Sequence, residues 1–384
     1  MKWSLLAVFL IAVSGCGKST PKPETSKPLS PEDDPRAIKI GIFLPLSGMN
    51  MTFGQAALDG AKLAVSQINA AGGVTGRPVA LVVEDTHSTP GDAARAVRAL
   101  AAKKVVAVIG EVTSDETLAA AAVAVELGLP MVAPGATVPE VTQVGNWVFR
   151  ICYVDPFPGV VMSKFAQSLG VTRAAVVYDL SNRYSNSLAA GFHDDFKNAD
   201  GGIVAAETYT AGAADFSTQL KALKDSNPDV IFLPAYFADA VAIVKQARKM
   251  GIEVPFLGTD GWESEEFLKD GGTDVNNCYF ASNFSAGDSS DRTWQFVTAF
   301  EGMFARQPIA LSALGYDAVN FVADGIRRAG GVAADPLRDA LARTKDFPGV
   351  TGNVTLDEKR NPSKSAIVIR VNDGKFTYLQ TEAP

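Results

Sequence analysis

The sequence predicts an α/β protein of two similar, doubly wound lobes with parallel-sheet cores, joined by a three-segment hinge. Three observations carry that expectation. Asn69-Ala-Ala-Gly-Gly-Val is echoed later by Asn198-Ala-Asp-Gly-Gly-Ile. Around each Gly-Gly, apolar strand-like runs and amphipathic helix patterns recur in the same order. The offset between the copies drifts between about 124 and 136 residues, as for two structural copies with unequal loops and not for a short-period solenoid.

In chain order, residues 1–15 come first and read as a secretory signal. Lys2 gives a positive start, and the apolar run from Trp3 to Val13 is too short to cross a bilayer core of about 30 Å. Cys16, directly after Ser14-Gly15, resembles the lipidated cysteine of a bacterial lipoprotein. Residues 16–36 carry five prolines among polar residues, with Leu29 the only large apolar side chain, so they are expected to form a flexible tether. The expected location is outside the cytoplasm, on the periplasmic or cell-surface side of a bacterial membrane, held by lipid alone.

Strands are expected at 38–44, 79–83 and 105–109, and again at 174–178, 203–207 and 229–233. Each copy then runs to a Pro-Gly or Gly-Thr-Asp loop, at Leu129-Pro-Met-Val-Ala-Pro-Gly and Val254-Pro-Phe-Leu-Gly-Thr-Asp. Helices are expected at 54–71, 93–102, 116–127, 187–198, 216–223 and 238–250. In the first, Ala57, Leu58, Ala61, Ala64, Val65 and Ile68 form an apolar stripe that stops at Gly72-Gly73, where glycine accepts the left-handed conformation. Beyond the second copy, helices at 292–306, 314–329 and 336–344 and a strand pair at 366–371 and 376–379 complete the body. Crossings between lobes are expected near 152–155, 282–285 and 351–356. These divide the body into a first lobe (37–154 plus 284–352) and a second (155–283 plus 353–384).

Composition narrows the function. The formal charge of −7 and the lack of a basic cluster argue against nucleic acid. His87 and His193 lack His or Cys partners at metal spacing. No G-x-S-x-G elbow, phosphate loop or dinucleotide fingerprint is present. A non-enzymatic protein with no cofactor and no metal is expected. Cys152 and Cys278 each sit near a lobe crossing, where either a disulfide or two buried free thiols would fit an exported protein.

The loops after the strands carry the site. In the first copy they bring Phe53, Ser114, Gly135 and Thr137, two of them hydroxyls placed at helix starts. Backbone N–H groups there, joined by a hydroxyl, suit a carboxylate. The alternative is that Ser114 and Thr137 only cap their own helices. In the second copy the same positions carry Tyr184, Tyr236 and Asp260-Gly-Trp262, aromatics and an acid that suit an apolar side chain and an ammonium group.

Taken as an ordered series, Ile38-Lys-Ile-Gly-Ile, Leu46-Ser47-Gly48, Gly54, Gly60-Ala61, Ile68-Asn69, Gly72-Gly73-Val74, Gly76-Arg77, Val108-Ile109-Gly110 and Pro134-Gly135-Ala136-Thr137 resemble the branched-chain amino-acid binding proteins of ABC transporters. The resemblance covers residue 38 to about residue 378 and implies the type I periplasmic binding protein fold. It implies that Ser114 bonds the ligand carboxylate, that Gly135 and Thr137 contact its main-chain atoms, and that Asp260 grips its ammonium group where many members have glutamate. It further implies that Phe53, Tyr184, Tyr236 and Leu311 shape the pocket. A first-lobe disulfide of some members is absent, His87 and Thr113 standing in that neighbourhood. The expected function is a monomeric solute-binding lipoprotein that delivers a branched-chain or other apolar amino acid to ABC permease subunits. The alternatives are binding of an amide, urea or aromatic acid, or a role as ligand sensor.

Overall fold

The computed structural model describes residues 34–199 and 201–384; the signal segment, Cys16 and the tether up to residue 33 lie outside them. The first sheet is assembled from β1 (Ile38–Leu44), α1 (Met51–Ala70), β2 (Val79–Asp85), α2 (Pro90–Ala102), β3 (Ala107–Ile109), α3 (Ser114–Leu127), β4 (Met131–Ala133), α4 (Glu140–Gln143) and β5 (Val148–Arg150). The second begins with α5 (Phe157–Ser168) and continues through β6 (Arg173–Asp179), α6 (Arg183–Asn198), β7 (Gly202–Tyr209), α7 (Ser217–Asp225), β8 (Val230–Phe232), α8 (Phe237–Lys249), β9 (Phe256–Gly258), α9 (Glu265–Gly271) and β10 (Cys278–Ser282). The chain then returns as α10 (Asp291–Phe304), α11 (Ala310–Ala329), α12 (Ala334–Ala342), the small ribbon β11 (Phe347–Gly349) and β12 (Gly352–Val354), and ends in β13 (Ala366–Asn372) and β14 (Lys375–Glu382).

The internal echo is a topological repeat. The first sheet runs β2-β1-β3-β4-β5 and the second runs β7-β6-β8-β9-β10, the same order, all parallel. The second sheet alone extends further, through antiparallel β13 and β14. Central strands such as β1 and β3 are buried on both faces, because helices cover each side of a parallel sheet.

Helices α10 to α12 belong with the first sheet, through the packing of α11 along α1. Two glycines make that contact possible. A Cβ on Gly60 would lie 1.8 Å from the Ser312 carbonyl oxygen, and one on Gly315 would lie 2.1 Å from that of Ala57. The backbones thus approach where any side chain would collide.

The third crossing lies later than the sequence suggested. Arg360 donates from Nε to the Val148 carbonyl at 3.1 Å, and Thr142 Oγ1 donates to Asn361 Oδ1 at 3.0 Å. Lys364 donates to the Ile151 carbonyl at 2.9 Å. Residues 353–361 therefore stay on the first lobe, and the chain crosses just before β13. Cys152 and Cys278 are both free and buried, so the disulfide alternative is not realised. Removal from water pushes each thiol up to about 12.

Candidate functional site

Between the lobes lies a small cleft. Phe53, Ser114 and Gly135 line it from the first sheet's strand ends, and Tyr184, Tyr236 and Asp260 from the second's. Leu311 lines it as well. Thr137 does not. It sits behind the wall, its hydroxyl donating to Asp155 Oδ2 at 3.1 Å. Trp262, grouped with these aromatics on sequence, is a core residue instead, fully buried and stacked on Phe267 with centroids 5.2 Å apart.

Ser114 is the first residue of α3. The preceding Thr113 makes no cap to that helix, because its hydroxyl lies 2.7 Å from both Glu111 Oε2 and Glu116 Oε2. Neither Ser114 nor Thr137 caps a helix, which removes that alternative. The start of α3 thus presents N–H groups that no side chain of its cap satisfies, together with the Ser114 side chain. Glu111 holds this loop in place. It accepts from Thr86 Oγ1 at 2.6 Å and from the N–H groups of Val112 and Thr113 at 2.9 and 3.1 Å. Full burial raises the Glu111 carboxyl to about 7 despite those bonds. A hydroxyl has one proton to give, so Thr113 donates to one of the two carboxyls at a time.

The facing wall is organised by the Tyr184 hydroxyl. It lies 2.7 Å from Thr259 Oγ1, donates to Asp260 Oδ1 at 2.9 Å and accepts from the Gly261 N–H at 2.9 Å. Tyr184 also stacks on Tyr236 with centroids 5.0 Å apart and planes 2° from parallel. Loss of hydration raises Asp260 to about 7, while the bonds from Tyr184 oppose the shift. An acid held this way gains most from a cationic partner brought into the cleft.

The lobes touch across the cleft. Phe53 meets Tyr236 edge-on at 6.1 Å and Phe237 at 5.3 Å. Arg183 and Asp115 approach to 3.3 Å at the start of α6 and α3. Glu263, just beyond Asp260, accepts from the Ala310 N–H at 2.9 Å and from Ser282 Oγ at 2.5 Å. Burial raises its carboxyl to about 7. These contacts describe a closed arrangement.

Sequence reasoning missed Val112, Gly261, Glu263, Asn283, Ala310 and Leu314 in the lining. Gly261 adjoined a named residue, and a Cβ there would meet the Tyr184 hydroxyl at 2.8 Å. Glu263 stood three residues past Asp260 and was readable from that neighbourhood. Nothing local marked Asn283 or Ala310, which reach the cleft only through the crossing and the return of α11.

Two duplicated lobes closed over a small cleft, one wall offering helix-start donors and the other an acid and aromatics, define a solute-binding clamshell. The family described as periplasmic binding protein matches residues 37–375. The isoleucine-bound branched-chain amino acid transporter substrate-binding protein LivJ from Streptococcus pneumoniae superposes with a TM-score of 0.85 at 35% identity, over 91% of this chain and 99% of that one. The leucine-binding protein LivK from Thermotoga maritima gives 0.85 at 33%, with the same coverage of 91% and 99%. The leucine-, isoleucine-, valine-, threonine- and alanine-binding protein of Pseudomonas aeruginosa is 28% identical over 84% of this chain and 86% of its own. The chain belongs to the periplasmic binding protein family, in the type I group of branched-chain amino-acid binding proteins of ABC transporters. It is an extracytoplasmic binding protein and not an enzyme.

Proposed function

We propose that this protein captures an α-amino acid with an apolar or small side chain and delivers it to the permease subunits of an ABC importer. The observation that carries the reading is the pairing, across one cleft, of the uncapped start of α3 at Ser114 with the Asp260 carboxylate. A zwitterion satisfies both, its carboxylate on the helix start and its ammonium on Asp260. Phe53, Val112, Tyr184, Tyr236, Leu311 and Leu314 supply apolar surface for the side chain. Gly135 adds backbone groups beside Ser114. A side chain there would collide with Leu311 Cδ2 at 2.9 Å, which keeps that wall open to the ligand. Thr137 acts from behind, steadying Asp155 at the first crossing.

Ligand meets the first lobe and closure then adds Tyr184, Tyr236 and Asp260, so binding energy shifts the lobes toward the closed form. The protein works as a monomer, tethered through lipidated Cys16 so that the body stays within reach of its permease. A thermal-shift panel of the common amino acids, an amide, urea and an aromatic acid tests the assignment. At about a hundred times its dissociation constant a ligand adds about 2.7 kcal/mol of stability. A shift only with the amide, urea or the aromatic acid would overturn it. Metabolic labelling with a fatty acid, lost in Cys16→Ser, tests the anchor.

A further inference from the structure

Among the described residues, the side chains lining the cleft contain one buried polar atom without a hydrogen-bond partner, Nδ2 of Asn283. Asn283 is 3% exposed. The orientation of its amide is fixed by its neighbour, because Oδ1 accepts from the Tyr153 N–H at 3.2 Å. Turning the amide over would set two donors against each other. Nδ2 is therefore a donor whose burial costs free energy until an acceptor arrives. Glu263 lines the same cleft, and each of its carboxylate oxygens accepts one protein hydrogen bond while keeping a further lone pair.

A donor and an acceptor lining one small cleft select for a group that can both accept and donate. A hydroxyl does this, and so does a carboxamide. A methyl group leaves Nδ2 unpaired, and a second carboxylate would face Glu263 with like charge. We propose that Asn283 and Glu263 form a polar subsite that makes the protein prefer amino acids whose side chain ends in an uncharged hydroxyl or carboxamide over apolar side chains of the same shape. This rests on the amino-acid reading of the cleft and names the ligand class within it.

Shape-matched pairs isolate the effect. Threonine and valine differ by a hydroxyl in place of a methyl, and asparagine and leucine are likewise close in shape. Calorimetric titration of the full folded body is expected to show threonine at least tenfold tighter than valine, or asparagine at least tenfold tighter than leucine. Asn283→Ala should bring the ratio of the preferred pair to within about twofold of one. Asn283→Leu removes the donor at similar volume and should collapse the same ratio. Valine and leucine binding as tightly as their polar partners to the unaltered protein would overturn the proposal and leave the amino-acid reading standing. So would a preference that survives both substitutions. Failure of all four amino acids to bind would overturn the amino-acid reading itself, and the subsite with it.

Discussion

The Glu263 carboxylate, carried by the second lobe, accepts a hydrogen bond at 2.9 Å from the backbone N–H of Ala310, the first residue of α11 on the first lobe. A helix start is short of acceptors, and an acid from the opposite lobe supplies one only while the cleft is shut. Glu263→Ala leaves that N–H without its partner in the closed form, whereas water can serve it in the open form. The expected cost of about 1 to 3 kcal/mol falls on closure and appears as ligand release at least fivefold faster. Stopped-flow release kinetics check it; an unchanged rate would remove Glu263 from closure.

Asp260 should discriminate by ligand charge. Asp260→Asn removes one partner of a desolvated ion pair, worth about 2 kcal/mol or more. An α-amino acid should bind at least thirtyfold more weakly to the variant, while the matching carboxylic acid without its amine changes little. Equal losses for the two ligands would take Asp260 out of the ammonium role.

Binding should carry a proton signature. With Asp260 raised to about 7 by burial in the closed cleft, an ammonium ligand must displace its proton below that pH. Affinity is then expected to fall by about tenfold per pH unit below 7. Calorimetry in buffers of different ionisation enthalpy should show close to one proton released per ligand at pH 6. A pH-independent affinity between 5 and 8 would contradict it.

The stability of the unliganded protein should respond in the same window. Glu111, buried within the first lobe, is raised to about 7, so between about pH 4 and 7 the folded protein holds a proton that the unfolded chain releases. Its contribution is complete below about pH 4 and is lost as pH rises through 7. For Glu111, the facing groups are Thr86, Thr113 and Glu116, itself raised chiefly by burial. Glu111→Gln should flatten the fall in urea midpoint between pH 5 and 8. An identical slope in the variant would show that Glu111 does not titrate there.

Two glycine substitutions should move stability in opposite directions. Gly60→Ala forces α1 away from α11 and should destabilise by about 3 kcal/mol or abolish folding. Gly302 lies exposed within α10 with open space at its Cβ, so Gly302→Ala should stabilise by about 0.5 to 1 kcal/mol. Urea unfolding of both variants checks the pair.

The lobes, their repeat and most helices were legible because apolar periodicity reports burial, and burial dominates these elements. Helix starts were less so. Periodicity placed one start at 54, one at 187 and one at 314, whereas the helices begin at Met51, Arg183 and Ala310. Those first turns approach the cleft or its rim and follow no core stripe, as with Phe53, Tyr184 and Leu311. Helix α5 went unread, since Phe157-Pro-Gly opens like a turn while its buried Val161, Met162 and Phe165 pack against the second lobe. The strand-end residues of the cleft were readable from their place after each strand. Asn283 and Ala310 were not, because only the tertiary crossings carry them there.

The contribution of α11 to the cleft has a consequence for export. A chain threaded across a membrane from its N-terminus presents both repeated sheets before residues 310–314, yet Ala310, Leu311 and Leu314 are part of the binding wall. The wall of the cleft is therefore incomplete until α11 has emerged and docked on α1.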